Sequence, residues 1–283
     1  MRITDKKPSF IWRAILAAVP ALAAIGLVVA QPLAGAIAAG DMVSYTSVPF
    51  VTSQWTTDRT APSGGLTVGD FAGRTGVLAM GIDGAKQTTN TWYRYEGVQR
   101  SITGSTAVKA SLYVDSAWPS QVNAGMWGVG ADSTGAVSAY PIIAYVKGAS
   151  YTGWRTFNDN TGGWVNLPRA PHHNGWNTVA ITYNTATTAF DFTVDGVNVG
   201  SSYATGSVGL SAVILDNYNF GANYTVHWSD LATGVLVTAP TSKAQCKDNG
   251  WQALGFRNQG ACVSYANHHN GVSHDDAVVA DKR

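Results

Sequence analysis

Glutamate is almost absent from this chain: Glu96 is the only one, and every other acidic residue is an aspartate. Charged residues of both signs make up 12% of the sequence, about half the share usual in globular proteins. These shortages exclude several functions. Most enzymes that cleave polysaccharides on a β-sandwich need two carboxylates at a fixed separation, one as acid and one as nucleophile or base. No segment here carries closely spaced glutamates to fill that need. No run of Lys and Arg follows Arg13, and the formal net charge is +1. The clustered positive charge that nucleic acid requires is therefore missing. No Gly-x-Ser-x-Gly turn occurs, so the chain lacks the nucleophile elbow of a serine hydrolase. Cys246 and Cys262 are the only cysteines, too few to hold zinc by themselves.

The N-terminus is rich in what the rest lacks. Arg2, Lys6, Lys7 and Arg13 precede an apolar stretch from Ala14 to Val29, and Gly35-Ala36-Ile37-Ala38-Ala39 supplies the small residues of a signal-peptidase site, best at Ala36-x-Ala38. Residues 1–40 read as a signal peptide. The competing reading is an uncleaved anchor, since Ile15 to Ala39 is long enough to cross a bilayer at a tilt. Pro20, Gln31 and Pro32 interrupt that stretch. The expected product is secreted or held at the cell surface, with no membrane contact after cleavage. In an exported chain two cysteines pair most simply as one disulfide. It would close a loop of about 17 residues, worth roughly 3 kcal/mol in the chain-entropy model.

From Asp41 onward no helical period is evident. Short alternating segments recur instead, separated by Gly, Asn, Asp, Ser or Pro. Val108, Ala110, Leu112 and Val114 share one face of a strand; Phe190, Phe192 and Val194 share another, with Asp191 and Thr193 opposite. Asp195-Gly196 is a two-residue hairpin signal. Ile142–Val146, Val179–Tyr183, Val213–Leu215 and Tyr224–Trp228 complete the series. Strands at this spacing without intervening helices predict an all-β, antiparallel two-sheet sandwich or jelly roll. The predicted sandwich spans residues 41–239. A disulfide-closed module follows over 240–266, then a disordered polar tail over 267–283 containing His268, His269, His274, Asp275 and Asp276.

Trp176–Tyr183 with Phe190-x-Phe192-x-Val194-Asp195-Gly196, and Tyr224–Leu231 as a closing strand, resemble the late strands of concanavalin A-like lectin/glucanase (LamG-like jelly-roll) domains. Trp55–Pro62, Trp127–Asp132 and Ser138–Ile143 resemble segments of secreted bacterial proteins of this type. The resemblance covers roughly 41–237 and implies the fold; fold alone does not carry function. The segment with Gln245-Cys246-Lys247, Gly250-Trp251, Asn258-Gln259-Gly260 and Cys262-Val263 resembles a short module at the ends of secreted bacterial proteins. That likeness implies export and the disulfide. The chain departs from the glucanases in lacking their Glu-x-Asp-x-Glu strand; Asp191-Phe192-Thr193-Val194-Asp195 comes nearest and lacks the middle acid.

Two clusters are candidate ligand sites. If Trp92–Arg100 is a strand, Trp92, Arg94 and Glu96 share one face, offering a stacking surface, donors and an acceptor for sugar hydroxyls. The competing reading is one aromatic core face and a surface Arg–Glu pair. Around Tyr151–Asn160, Trp154 and Arg155 point to opposite faces, with core packing of Trp154 as the alternative. Asp132, Asp159 and Asp216 with Asn158, Asn160 and Asn217 are oxygens of the kind calcium uses, and equally turn formers. Ca2+ is thus a possible cofactor. His172-His173 lies in a loop, and His227 reads as a packing residue. The leading expectation is a non-catalytic glycan-binding or adhesion protein whose partner is a polysaccharide or cell-surface glycan. The alternatives are a polysaccharide hydrolase or lyase using Glu96, and a structural extracellular component.

Overall fold

Local sequence sets strand register in this protein, and one hairpin shows how. Phe190, Phe192 and Val194 are buried on one face of β13 (Ala189–Val194). Asp195 and Gly196 then take positive φ of 51° and 74°. That backbone matches the natural twist of paired strands, and Asp and Gly tolerate it. Val194 consequently pairs with Val197, the first residue of β14 (Val197–Tyr203). The computed structural model describes residues 41–269 apart from 160, 205, 255 and 257. The predicted signal peptide lies outside the described residues.

The fold is an antiparallel two-sheet jelly-roll sandwich, as the alternation predicts. The first sheet runs β14, β13, β12 (Gly175–Asn184), β6 (Ala107–Val114), β16 (Tyr224–Thr238), β4 (Arg74–Ile82) and β3 (Gly65–Phe71), with β1 (Asp41–Ser47) also paired to β16. The second runs β11 (Gly163–Asn166), β10 (Thr152–Asn158), β9 (Ile142–Lys147), β7 (Val122–Ala131), β15 (Gly209–Tyr218), β5 (Tyr95–Ser105) and β2 (Thr56–Arg59), with β8 (Val137–Ala139) on β7. The inner faces of both sheets form one apolar core, including Leu78, Leu112, Met126, Tyr145, Trp154, Phe190, Phe192, Leu215 and Trp228. Each such side chain contributes about 1.5–3 kcal/mol relative to exposure.

Cys246 and Cys262 form the expected disulfide. They sit in a small apolar cluster with Ala266, against which Trp251, Leu254, Phe256 and Val263 pack; it is distinct from the sandwich core. Two helices that the sequence period does not announce build this module: α1 (Gly250–Ala253) and α2 (Gln259–His269). Helix α2 includes Asn267 and His268, which the sequence reading assigned to a disordered tail. The period is weak because the disulfide and a few aromatic contacts, not a broad apolar face, hold these short turns. Reducing the bond should therefore open the module and leave the main thermal transition in place. Calorimetry with and without reductant checks this; a fall of many degrees in the main transition would merge the module with the sandwich.

Candidate functional site

The outer face of the second sheet carries its own apolar cluster. Alternation along β15 sends Val213 and Leu215 into the core and Ala212 and Ile214 to the other side. There Trp127, Val129 and Ile142 join them, with Tyr95, Phe157 and Trp164 packed against the patch. Register aligns one row across the sheet: Asn166 opposite Arg155, Arg155 opposite Ala144, Ala144 opposite Gly125, Gly125 opposite Asp216, Asp216 opposite Gly97, and Gly97 opposite Asp58. Charged side chains thus stand at both ends of a run of glycine and alanine. The adjacent row, two residues along each strand, is Trp164, Phe157, Ile142, Trp127, Ile214 and Gln99. A polar strip, its alanine and glycines buried under the side chains around them, lies beside an aromatic and aliphatic ridge.

Arg59 is the centre of the polar strip. It ends β2 at φ 55°, a left-handed conformation that non-glycine residues seldom take and that clusters at functional sites. Its Nε donates to Asp58 Oδ2 at 2.8 Å, and its Nη2 donates to Asp216 Oδ2 at 2.9 Å. The guanidinium carbon lies 4.3 Å from the Trp127 ring centre, 4.5 Å from Tyr95 and 5.0 Å from Trp92, a three-ring cation–π cage. Asp216 is 1% exposed. Burial pushes its carboxyl up to about 7, and the charge of Asp58 pushes the same way; Arg59 and the Trp127 indole pull against them. Asp216 Oδ1, like Arg59 Nη1, is buried without a hydrogen bond among the described residues. The two flanking glycines make this possible. A Cβ at Gly97 would come 2.8 Å from Asp216 Cβ, and one at Gly125 would come 2.7 Å from Oδ1.

Tyr95 and Arg155 complete the strip. Burial pushes the Tyr95 hydroxyl up to about 12, with Asp216 adding to the rise and Arg155 and Arg59 opposing it, so it stays a neutral donor and acceptor. Burial lowers the Arg155 guanidinium, whose carbon lies 3.8 Å from the Trp164 ring centre.

No family model matches the chain, and no curated protein matches it. Solved structures do resemble it. A Bacillus licheniformis β-glucanase aligns at 11% identity and TM-score 0.41, covering 70% of this chain and 99% of that one. An endo-1,3-β-glucanase from Streptomyces sioyaensis aligns at 14% identity and TM-score 0.45, covering 69% and 97%. A sialidase aligns at 13% identity and TM-score 0.42 over 71% of this chain, which spans only 20% of that one. These are neighbours in fold.

The structure rearranges the first candidate cluster. Trp92, Arg94 and Glu96 do not share a strand face. Asn90 accepts a hydrogen bond from the Trp92 amide at 3.0 Å and starts a 3-10 turn over Thr91–Arg94, so β5 begins only at Tyr95. Trp92 is 56% exposed and reaches the cage around Arg59. Arg94 turns back to donate from Nε to the Thr88 carbonyl at 2.7 Å. Glu96 points inward, 2% exposed, accepting from Asn219 Nδ2 at 2.7 Å and the Ser63 amide at 2.8 Å. The lone glutamate ties loops to a strand; it does not face the strip. In the second cluster Trp154 is fully buried in the core and Arg155 alone joins the outer face.

Several of the candidate calcium oxygens have structural partners. Asp132 closes a turn by accepting from Thr134 and Ala136, Asp159 accepts from the Tyr140 amide, and Asp216 and Asn217 lie within β15. Among the described residues no group of three or more His, Cys, Asp or Glu is placed to hold a metal. His227 packs as expected, stacked on Phe71 with ring centres 3.6 Å apart. Arg59, Trp127, Gly97, Gly125 and the strip role of Asp216 escaped the sequence reading. The available signal was glycine inside two strands, which marks close approach by other groups.

Proposed function

We propose that this protein binds a polysaccharide along the outer face of the second sheet, and that it does so outside the cell after export. The observation that carries the reading is the strip itself, where polar groups converge beside aromatic rings on one ordered sheet. Sugars offer C–H faces that pack on rings and hydroxyls that need fixed donors and acceptors. Trp92, with most of its surface open, and Tyr140, whose ring lies 6.3 Å from Trp127, supply the platforms. Tyr95, Gln99 and Asn166 supply neutral hydrogen-bonding groups beside Arg155. Trp92→Ala should weaken binding about tenfold or more, in keeping with loss of a hot-spot ring, and should leave the fold intact. Calorimetric titration against a panel of soluble polysaccharides measures this. The reading fails if no polymer binds, or if the variant binds as the wild type does.

A second reading is hydrolysis, favoured by one feature. Asp58 and Asp216 both contact Arg59 Nη2, so two carboxylates lie close together, with one held near neutrality by burial. Unequal carboxylates of this kind divide the roles of acid and base in glycosidases. The burial of Asp216 beneath Arg59 and its ring cage weighs against it. Reducing-sugar release from a bound polymer, abolished by Asp216→Asn, would establish the enzyme.

A further inference from the structure

Arg155 is an arginine without a counter-ion. Among the described residues no carboxylate lies within ion-pair distance of it; Arg59 pairs with two aspartates, Arg74 and Arg169 with one each, and Arg94 and Arg100, also without a carboxylate, donate to the Thr88 and Pro49 carbonyls. Its Nε is buried and makes no hydrogen bond. The neighbouring Tyr151 hydroxyl shares its one proton between the Trp154 and Leu167 carbonyls at 2.6 and 2.9 Å. Nor does a flexible stem explain the position: the guanidinium plane rests on Trp164 at 3.8 Å, fixing its direction. Its row partner Ala144 and the adjoining Gly125 are buried, so the ground between Arg155 and Asp216 is filled and ligand must approach Arg155 from the exposed side, where Asn166 stands opposite it. The far end of the row differs, since Arg59 is neutralised there by two aspartates. An unpaired, partly desolvated and pre-oriented guanidinium suits a planar, bidentate anion, because pairing recovers lost solvation without ordering a long side chain.

Resting on the reading of this face as a polysaccharide site, we infer that it selects acidic glycans, with Arg155 taking the carboxylate of a uronic acid residue. The sugar's hydroxyls reach exposed groups beside Arg155, among them its cross-strand partner Asn166. Neutral polymers meet the same rings but leave Arg155 unpaired, and so bind less well.

The test compares polygalacturonate with its fully methyl-esterified form, which keeps the backbone and removes the charge. Calorimetric titration of the folded, disulfide-bonded protein should show the acid form binding on the order of tenfold tighter, as expected for a charge-assisted pair. Raising salt should erode that preference. Arg155→Gln should abolish the preference by weakening the acid form far more than the ester. Arg155→Lys keeps the charge and loses the planar fork, and should reduce the preference severalfold; it also serves if the glutamine variant does not fold. Equal affinity for both polymers, or a preference that survives both substitutions, overturns the inference. If both polymers bind equally and Trp92→Ala weakens both, the polysaccharide reading stands and only the choice of acidic ligand falls. If no polysaccharide of any charge binds, the underlying reading falls and takes this inference with it.

Discussion

The Asp216→Asn variant is expected to gain stability relative to the wild-type chain as pH rises from 4 to 8, by at most about 4 kcal/mol. The cause is a carboxyl that folding moves out of water. In the unfolded chain Asp216 ionises near 3.8; in the fold burial pushes it up to about 7. Between those values the folded state holds a proton that the unfolded state has released. The stabilisation from this group is complete below the unfolded value and is lost as pH rises through the folded one. Asparagine mimics the protonated acid and does not titrate, so the difference between the two proteins isolates the effect. Losing half of a buried ion pair with Arg59 sets a constant offset at high pH, but the slope belongs to Asp216. Urea unfolding followed by tryptophan fluorescence at several pH values reads it directly. A difference that stays flat across that range would mean Asp216 ionises as freely in the fold as in the open chain.

Trp154→Ala should cost about 3–5 kcal/mol of stability, as large-to-small changes of buried aromatics do. Trp154 is fully buried and meets Tyr145 edge-on, ring centres 5.6 Å apart at 71°. Its indole nitrogen has no hydrogen-bond partner among the described residues, so what the position supplies is volume. The cavity would open where β9 and β10 meet the opposite sheet. Denaturant midpoints measure the loss, with the adjacent Arg155→Gln as the contrast expected to cost little. A Trp154→Ala protein of wild-type stability with impaired ligand binding would return this side chain to the site and overturn its assignment to the core.

The fold was legible because the information it needs is local and periodic. Alternation in 108–114 and 190–194, punctuated by Asp195-Gly196, says which side is buried, and burial follows it. Asp191 is an instructive exception. It faces away from the core as alternation requires, yet it is buried by Asn184 and Ser201, which donate to it at 2.9 and 2.6 Å. The site was less legible because it is assembled across strands. Arg59 and Asp216 are far apart in sequence, and no pattern announces that two glycines from other strands make room for their pairing. Trp92 was singled out correctly as an exposed ring, but on the wrong geometry. The cap at Asn90 outweighed the alternation of Trp92-Tyr93-Arg94-Tyr95, turning residues that would have shared a face in different directions. A single glutamate in a chain also draws the eye toward catalysis, while its inward hydrogen bonds serve structure.

The position of β16 bears on how the molecule reaches its fold. It is the last strand of the sandwich, yet it lies inside the first sheet, between β6 and β4, and pairs along its second half with β1, the first strand, so that Asp41 faces Thr238. Early folding can assemble local hairpins such as β13 with β14. It cannot close the sheet, because β4 and β6 keep bare edges until the final strand arrives, and bare edges invite pairing with other chains. Contacts of such long sequence separation delay the rate-limiting step and lengthen the time those edges stay open. The order of strands thus makes docking of the final strand a precondition for closing the sheet, and puts the period of greatest aggregation risk before residues 224–238 have docked.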